Sequence, residues 1–272
     1  MINEVQEFDV SNFVKIRSSL DASQQSFLTW SGSIYAFIPG ERRKKLFQMV
    51  GMSVSRCIAA EENSWDFTSR ELTYYLDPET GEILHKWENP WTGEVLTVVH
   101  VANNPVQGHL KGSFPAQVND DITTFWFDLF PTYPNPLAED TKFAEYSPQS
   151  TYQAAELFKL TVPTEDLHNP ELNSVSKLFL SWDRIGPWVP WMKMGDRAGQ
   201  LIYSGRGVKV NGFTDLPQLL QDEINSRVPV YKNAPKPPLD EDADMTSWTY
   251  FQKYFEAYLA GERFPIPEPE EE

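Results

Sequence analysis

The spacing of apolar and polar positions changes period along the chain. Phe13, Ile16 and Leu20 fall at i, i+3 and i+7 behind Ser11, a residue suited to capping, which predicts a short helix over 11–20. From about Phe27 the period is two. Ile34, Ala36 and Ile38 alternate with Tyr35 and Phe37 until Pro39-Gly40 stops the run. A second strand over 46–60 puts Val54, Arg56 and Ile58 on one face and Ser53, Ser55 and Cys57 on the other. Strands are also expected at 123–130, 152–162, 176–184 and 199–210. Late in the chain, Thr214-Asp215-Leu216-Pro217 opens a helix bearing Leu219, Leu220 and Ile224. Thr246 or Ser247 caps another over 248–260, with Trp248, Phe251, Phe255 and Tyr258 or Leu259 as its stripe and Gly261 as its stop.

One segment repeats. Asp77-Pro-Glu-Thr-Gly-Glu-Ile-Leu84 recurs as Asn89-Pro-Trp-Thr-Gly-Glu-Val-Leu96. Proline fixes φ at the second turn position, Asp or Asn caps the turn, and glycine takes the left-handed position. Two such turns predict a three-stranded meander over 67–76, 82–88 and 94–102. Strands separated by proline- and glycine-rich turns, with no strong helix between them, give the fold class. It is all-β, an antiparallel meander closing into a single calycin-like β-barrel. A short N-terminal helix and two C-terminal helices pack outside. One domain is expected over 1–264, followed by a disordered acidic tail over 265–272.

Composition narrows the partners. The 272 residues carry 23 Lys+Arg against 39 Asp+Glu, a formal charge of −16. That argues against nucleic acid and against docking on anionic membranes. Eight acidic residues sit in 240–244 and 268–272, a solvated connector and tail. The single Cys57 rules out an internal disulfide and any multi-cysteine metal centre. The first residues carry neither a basic region nor an apolar one, so no export signal is read and a cytoplasmic setting is expected. Dinucleotide, phosphate-loop, nucleophile-elbow and zincin spellings are missing. His85 and His100 lie on neighbouring expected strands, where a two-histidine metal site is geometrically possible, but no third ligand or spacing signature accompanies them and hydrogen-bonded structural or surface histidines are the favoured reading. No metal and no cofactor are expected.

Strand parity supplies the candidate site, because a charge on an apolar face must be paired or used. Glu156 shares a face with Phe158, Leu160 and Val162, and Arg184 with Leu178, Leu180 and Trp182. Arg56 lies between Val54 and Ile58. Arg70 follows Leu72, Tyr74 and Leu76. His100 lies between Val98 and Ala102, and Asp128 between Trp126 and Phe130. Facing inward, these would dot an aromatic cavity with a few ionisable groups, the usual form of a small-molecule site. Facing outward, they are surface or structural pairs. The candidate catalytic residues are Glu156, Arg184, His100 and Tyr203. The candidate substrate-binding residues are Arg56, Tyr74, Trp126, Asp128, Trp182, Trp188, Trp191 and Met192. The last three sit in the proline-broken segment 187–194, which either walls the cavity mouth or plugs one end.

The spellings Asp-Pro-x-Thr-Gly-Glu, Trp87-x-Asn-Pro-x-Thr-Gly-Glu-Val and Trp182-x-Arg-x-Gly-Pro-Trp-x-Pro-Trp-Met-x-Met-Gly resemble a bacterial and fungal family classed as a domain of unknown function. The resemblance runs over roughly 25–255 and implies one domain; it carries no catalytic residues across. The expected function is a cofactor-free isomerase, cyclase or dehydratase acting on a hydrophobic small molecule such as a terpenoid or polyketide. Arg184 or Arg56 would hold negative charge, and Glu156, His100 or Tyr203 would move a proton. The alternative is a non-catalytic carrier for a lipid, isoprenoid or pigment. Pocket ionisables neutralised by structural partners would favour the carrier, and a perturbed carboxyl beside the ligand space would favour the enzyme. A third possibility is an interaction module using the acidic connector.

Overall fold

A computed structural model describes residues 5–61, 63–236 and 244–268. The chain opens with strand β1 (Val5–Asp9) and helix α1 (Val10–Arg17). Three long strands follow, β2 (Ser26–Phe37), β3 (Lys44–Ala59) and β4 (Ser64–Leu76). After the small hairpin β5 (Lys86–Glu88) and β6 (Val95–Thr97) come β7 (Val101–Lys111), β8 (Ser113–Asn119) and β9 (Ile122–Leu129). A second small pair, β10 (Thr132–Pro134) and β11 (Thr151–Gln153), precedes β12 (Ala155–Pro163), α2 (Thr164–His168), β13 (Phe179–Gly186) and β14 (Gln200–Val210). Helices α3 (Gln218–Ser226), α4 (Ser247–Lys253) and α5 (Phe255–Leu259) close the chain.

Ten strands form one antiparallel sheet in the order β1-β8-β9-β12-β13-β14-β2-β3-β4-β7. Its two ends are joined by the chain itself. β7 runs into β8 through Gly112 alone, whose φ of +80° suits glycine. The sheet therefore curls on itself. No ladder joins β7 to β1 among the described residues. Helix α1 fills the seam. Val10 and Val14 pack with Cys57, Leu110 and Phe114, and the Val10 amide donates to the Gly112 carbonyl.

The repeated turns form as expected. The Asp77 carboxylate accepts from the Glu79 and Thr80 amides, Asn89 accepts from the Trp91 amide, and Gly81 and Gly93 are left-handed. The three-stranded meander forms only in part: Leu76 bridges Ile83 and the Leu84 amide donates to the Tyr75 carbonyl beside the first turn, but the pairing does not extend along β4. β4 gives one edge to β3 and the other to β7, so β5 and β6 pair only with each other. The segment 77–100 is thus an excursion outside the main sheet. The C-terminal helices lie where expected, outside the sheet, and Thr246 caps α4 in a capping box. They cover the outer face of β3 and β4. Leu220, Ile224, Tyr231 and Phe251 share one core with Met52, Val54, Leu72 and Tyr74. Residues 265–268, expected to be loose, are held: the Ile266 amide donates to Tyr250 Oη, and Glu268 accepts from Asn104 and Tyr254. Residues 269–272 and 237–243 of the acidic segments lie outside the described residues.

Candidate functional site

The register decides which expected residues face inward. Glu156 pairs with Arg184, Phe158 with Trp182 and Leu160 with Leu180. Across the next ladder Arg184 meets Tyr203, and Trp182 meets Gly205. The same face continues through Trp30, Gly32 and Ile34 of β2, then through Met49, Gly51 and Ser53 of β3. It ends on Ser69, Glu71, Thr73 and Tyr75 of β4, with Asn103 of β7 opposite Glu71. The glycines let large side chains lie flat on the sheet. A Cβ on Gly51 would stand 2.4 Å from Trp30 Nε1, and one on Gly205 would stand 3.3 Å from the Trp182 ring.

The two ends of this inner face are filled. At one end α1 inserts Phe13, whose ring stacks on Phe114 at 4.1 Å and meets Phe125 and Phe127. Lys209 fastens that helix by donating to the carbonyls of Lys15, Ile16 and Ser18. Burial pulls the Lys209 ammonium down to about 7. At the other end Trp191 packs on Tyr75, Phe47 and Trp87. Between them Trp30 and Trp182 meet edge to face, their ring centroids 6.3 Å apart, on the curled stretch of the inner face, here termed the trough. Glu156 and Glu71 both turn inward, yet 25% and 29% of their side-chain surface is exposed. Solvent therefore reaches the inner face there.

One side of the trough is an arginine–tyrosine cluster. Arg184 is 7% exposed, its Nε lies 3.6 Å from Glu156 Oε1, and its Nη2 donates to Tyr152 Oη at 3.0 Å. The guanidinium lies over the Tyr203 ring at 5.0 Å, and Gly186 leaves it room. Tyr203 and Tyr75 share a hydroxyl–hydroxyl bond of 3.1 Å. Trp182 Nε1 donates to Glu156 Oε2 at 3.3 Å. Burial works to lower the Arg184 pKa, but Tyr152, Tyr203 and Glu156 outweigh it and hold the group above its ordinary value. Burial raises Tyr203 and Tyr75, so both stay protonated. Arg184 Nη1 has no partner among the described residues.

The other side is a second ion pair. Arg17, at the end of α1, lies 3.8 Å from Glu71 and donates to Ser53 Oγ. Asn103 Nδ2 donates to Glu71 Oε2 at 3.4 Å. Burial raises the Glu71 pKa, Arg17 opposes that, and the nearby Glu156 charge adds to it. Ser69 Oγ, Asn103 Oδ1 and Trp30 Nε1 are buried here without a hydrogen bond among the described residues.

The structure gathers Glu156, Arg184, Tyr203 and Trp182 and sends the other candidates elsewhere. Arg56, Tyr74 and His100 lie on the outer face. Arg56 donates to the Ala22 carbonyl, and Tyr74 is fully buried beneath the C-terminal segments. His100 is 1% exposed, and its Nδ1 accepts from the Tyr75 amide at 3.1 Å. Burial drops its pKa to about 3. It is a neutral, structural histidine, separated from the trough by the strand that carries Tyr75. Asp128 is exposed and Trp126 half-buried on the outer side of β9. Trp191 and Met192 are core, at 2% and 0% exposure. Trp188 lines a separate cavity of about 250 Å³ with Tyr152, Trp248, Ser147 and Arg197. Tyr152 thus stands between that cavity and Arg184. The sequence reasoning missed Tyr75, Tyr152, Trp30, Arg17, Glu71 and Asn103. The one usable signal was parity, since Glu71 shares a face with Ser69, Thr73 and Tyr75. No group of three or more metal-ligating side chains occurs among the described residues. No helix there is long and apolar enough to cross a membrane.

No curated protein matches this chain. A family model described as "Protein of unknown function (DUF1838)" matches residues 23–255, which takes in the whole trough apart from Arg17 and the rest of α1. By that match over most of its length, the chain belongs to the DUF1838 family.

Proposed function

We propose that the chain binds a hydrophobic small molecule in this trough, with the curled sheet, α1 and the Trp191 loop acting together as a calycin-like barrel. The observation that carries this reading is Arg184 Nη1, a buried cationic donor without an acceptor among the described residues, set in an aromatic wall. Leaving such a donor unpaired costs about 1–3 kcal/mol or more. An oxygen on a bound ligand removes that cost. The rings of Trp30, Trp182 and Phe158 suit a terpenoid, polyketide, lipid, isoprenoid or pigment skeleton. Glu156 is already paired with Arg184 and Trp182, which favours holding the molecule over transforming it. The reading takes the protein as cytoplasmic, its partner a small molecule rather than nucleic acid or membrane.

One observation favours a second reading, a cofactor-free isomerase, cyclase or dehydratase. Glu71 faces the same trough with its pKa raised by burial, next to an ionisable Glu156. A carboxyl that keeps its proton to a higher pH than usual can serve as a general acid. Glu71 would donate a proton while Arg184 and Tyr203 steady charge on the ligand oxygen.

Both readings need the Arg184 seat, and a titration tests it. Decanoic acid added to the full chain is expected to change the tryptophan emission saturably, with Arg184→Met, checked as folded by circular dichroism, weakening binding by about tenfold. A wild-type chain whose emission ignores the acid, or an Arg184→Met chain that binds it equally, removes the seat. Native mass spectrometry of the purified chain would identify a co-purifying molecule.

A further inference from the structure

Unpartnered polar atoms lie on both sides of the inner face. On the Arg184 side the orphan is a cationic donor. On the Glu71 side the orphans are Asn103 Oδ1, an acceptor, Ser69 Oγ, a hydroxyl on a residue with 0% exposure, and Trp30 Nε1, a donor that leans over Gly51. Glu71 adds carboxylate oxygens, held loosely by Arg17 at 3.8 Å and Asn103 at 3.4 Å. Between the two sides Trp30 and Trp182 meet edge to face. Buried polar atoms in native proteins are nearly always satisfied, so these atoms take a partner from solvent or from a bound molecule.

We infer that the ligand has two polar heads: a carboxylate or carbonyl oxygen on Arg184, and a hydroxyl or amine donor on Glu71 and Asn103, joined by an apolar spacer. The inference rests on the Arg184 seat proposed above and adds the second head. A donor suits the second head because an ionised carboxylate and an amide oxygen only accept. An acid at both ends would place like charge on Glu71, and a plain hydrocarbon end would leave Asn103 Oδ1 unpaired.

Three probes of one length separate the heads: decanoic acid, 10-hydroxydecanoic acid and 1-decanol, titrated calorimetrically into the full chain at pH 7. The hydroxy acid is expected to bind about tenfold tighter than decanoic acid. Glu71→Gln is expected to erase that gap and leave decanoic acid unchanged. Asn103→Ala, which keeps the Arg17–Glu71 pair, is expected to narrow it in the same direction. Arg184→Met is expected to erase the preference for acid over alcohol. Equal binding of the two acids, or a gap that survives both Glu71→Gln and Asn103→Ala, overturns the second head and leaves the Arg184 seat standing. Failure of decanoic acid to bind at all overturns the seat, and the second head with it.

Discussion

His100 illustrates how one buried ring couples pH to stability. Its Nδ1 accepts the Tyr75 amide, so a proton on that nitrogen would break the bond. Burial holds its pKa at about 3 in the fold, against 6.5 for the free side chain. The unfolded chain therefore takes up a proton that the native chain refuses. Its contribution is complete above pH 6.5 and shrinks as the pH falls from there toward 3. At pH 5 the loss is roughly 2 kcal/mol. Urea unfolding at pH 7.5 and pH 5 is expected to show this loss in the wild type and a flatter response in His100→Asn, whose side-chain oxygen can accept the same amide. Parallel responses in the two proteins would exclude His100 as the source. The same ring shows where parity misleads. His100 lies between Val98 and Ala102 on an apolar face, as the sequence suggests, but that face points away from the trough.

At the scale of elements, period and turn chemistry were readable, but the inward face was not. The strands around Ile34, Val54, Phe125 and Tyr203 follow from alternation. The turns at Asp77 and Asn89 follow from their Pro and Gly positions. Alternation distinguishes faces only when one of them meets water. β3 and β4 are buried on both, by α1 and the trough on one side and by the C-terminal helices on the other. Arg70 therefore stood out on its apolar face, whereas it donates to the Val230 and Asn233 carbonyls and the Asn104 side chain under the C-terminal segment. Glu71, on the polar-looking face of Ser69 and Thr73, was passed over although it faces the trough. β7 was hidden beyond residue 102 because Asn103-Asn104-Pro105 and Gly108 read as loop. The register shifts between Ser69 and Glu71, where that segment pairs with β4. The cap of α4 was legible, and it gives an element-scale test. Thr246→Ala removes the half of the capping box in which Thr246 Oγ1 accepts from the Thr249 amide, keeps the backbone half, and is expected to cost about 1 kcal/mol in thermal unfolding. A null effect would mean that α4 is held by the packing of Trp248 and Phe251 alone.

For the whole molecule, the question is what keeps a ten-stranded sheet curled when its ends share no ladder. Gly112 supplies the covalent corner between β7 and β8, and α1 supplies the packing. Phe13 sits at the centre of that packing, stacked on Phe114 and against Phe125 and Phe127, at 1% exposure. Arg17 and Lys209 then anchor the end of the helix to β3, β4 and β14. The trough depends on this arrangement, because Arg17 positions Glu71 from the same helix. Phe13→Ala removes the ring and leaves a cavity, a change that typically costs about 3–5 kcal/mol. The loss is expected to be uneven. Hydrogen exchange should quicken first in β1, β8 and the end of β7, where α1 bridges the seam, while β2 and β3, paired over more than ten residues, keep their protection. Uniform quickening across all ten strands would mean that the sheet opens as one unit and that α1 is not its clasp. If the seam loosens alone, Arg17 should lose its grip on Glu71 while the Arg184–Glu156 side stays intact, and ligand affinity should fall at one end of the trough before the other.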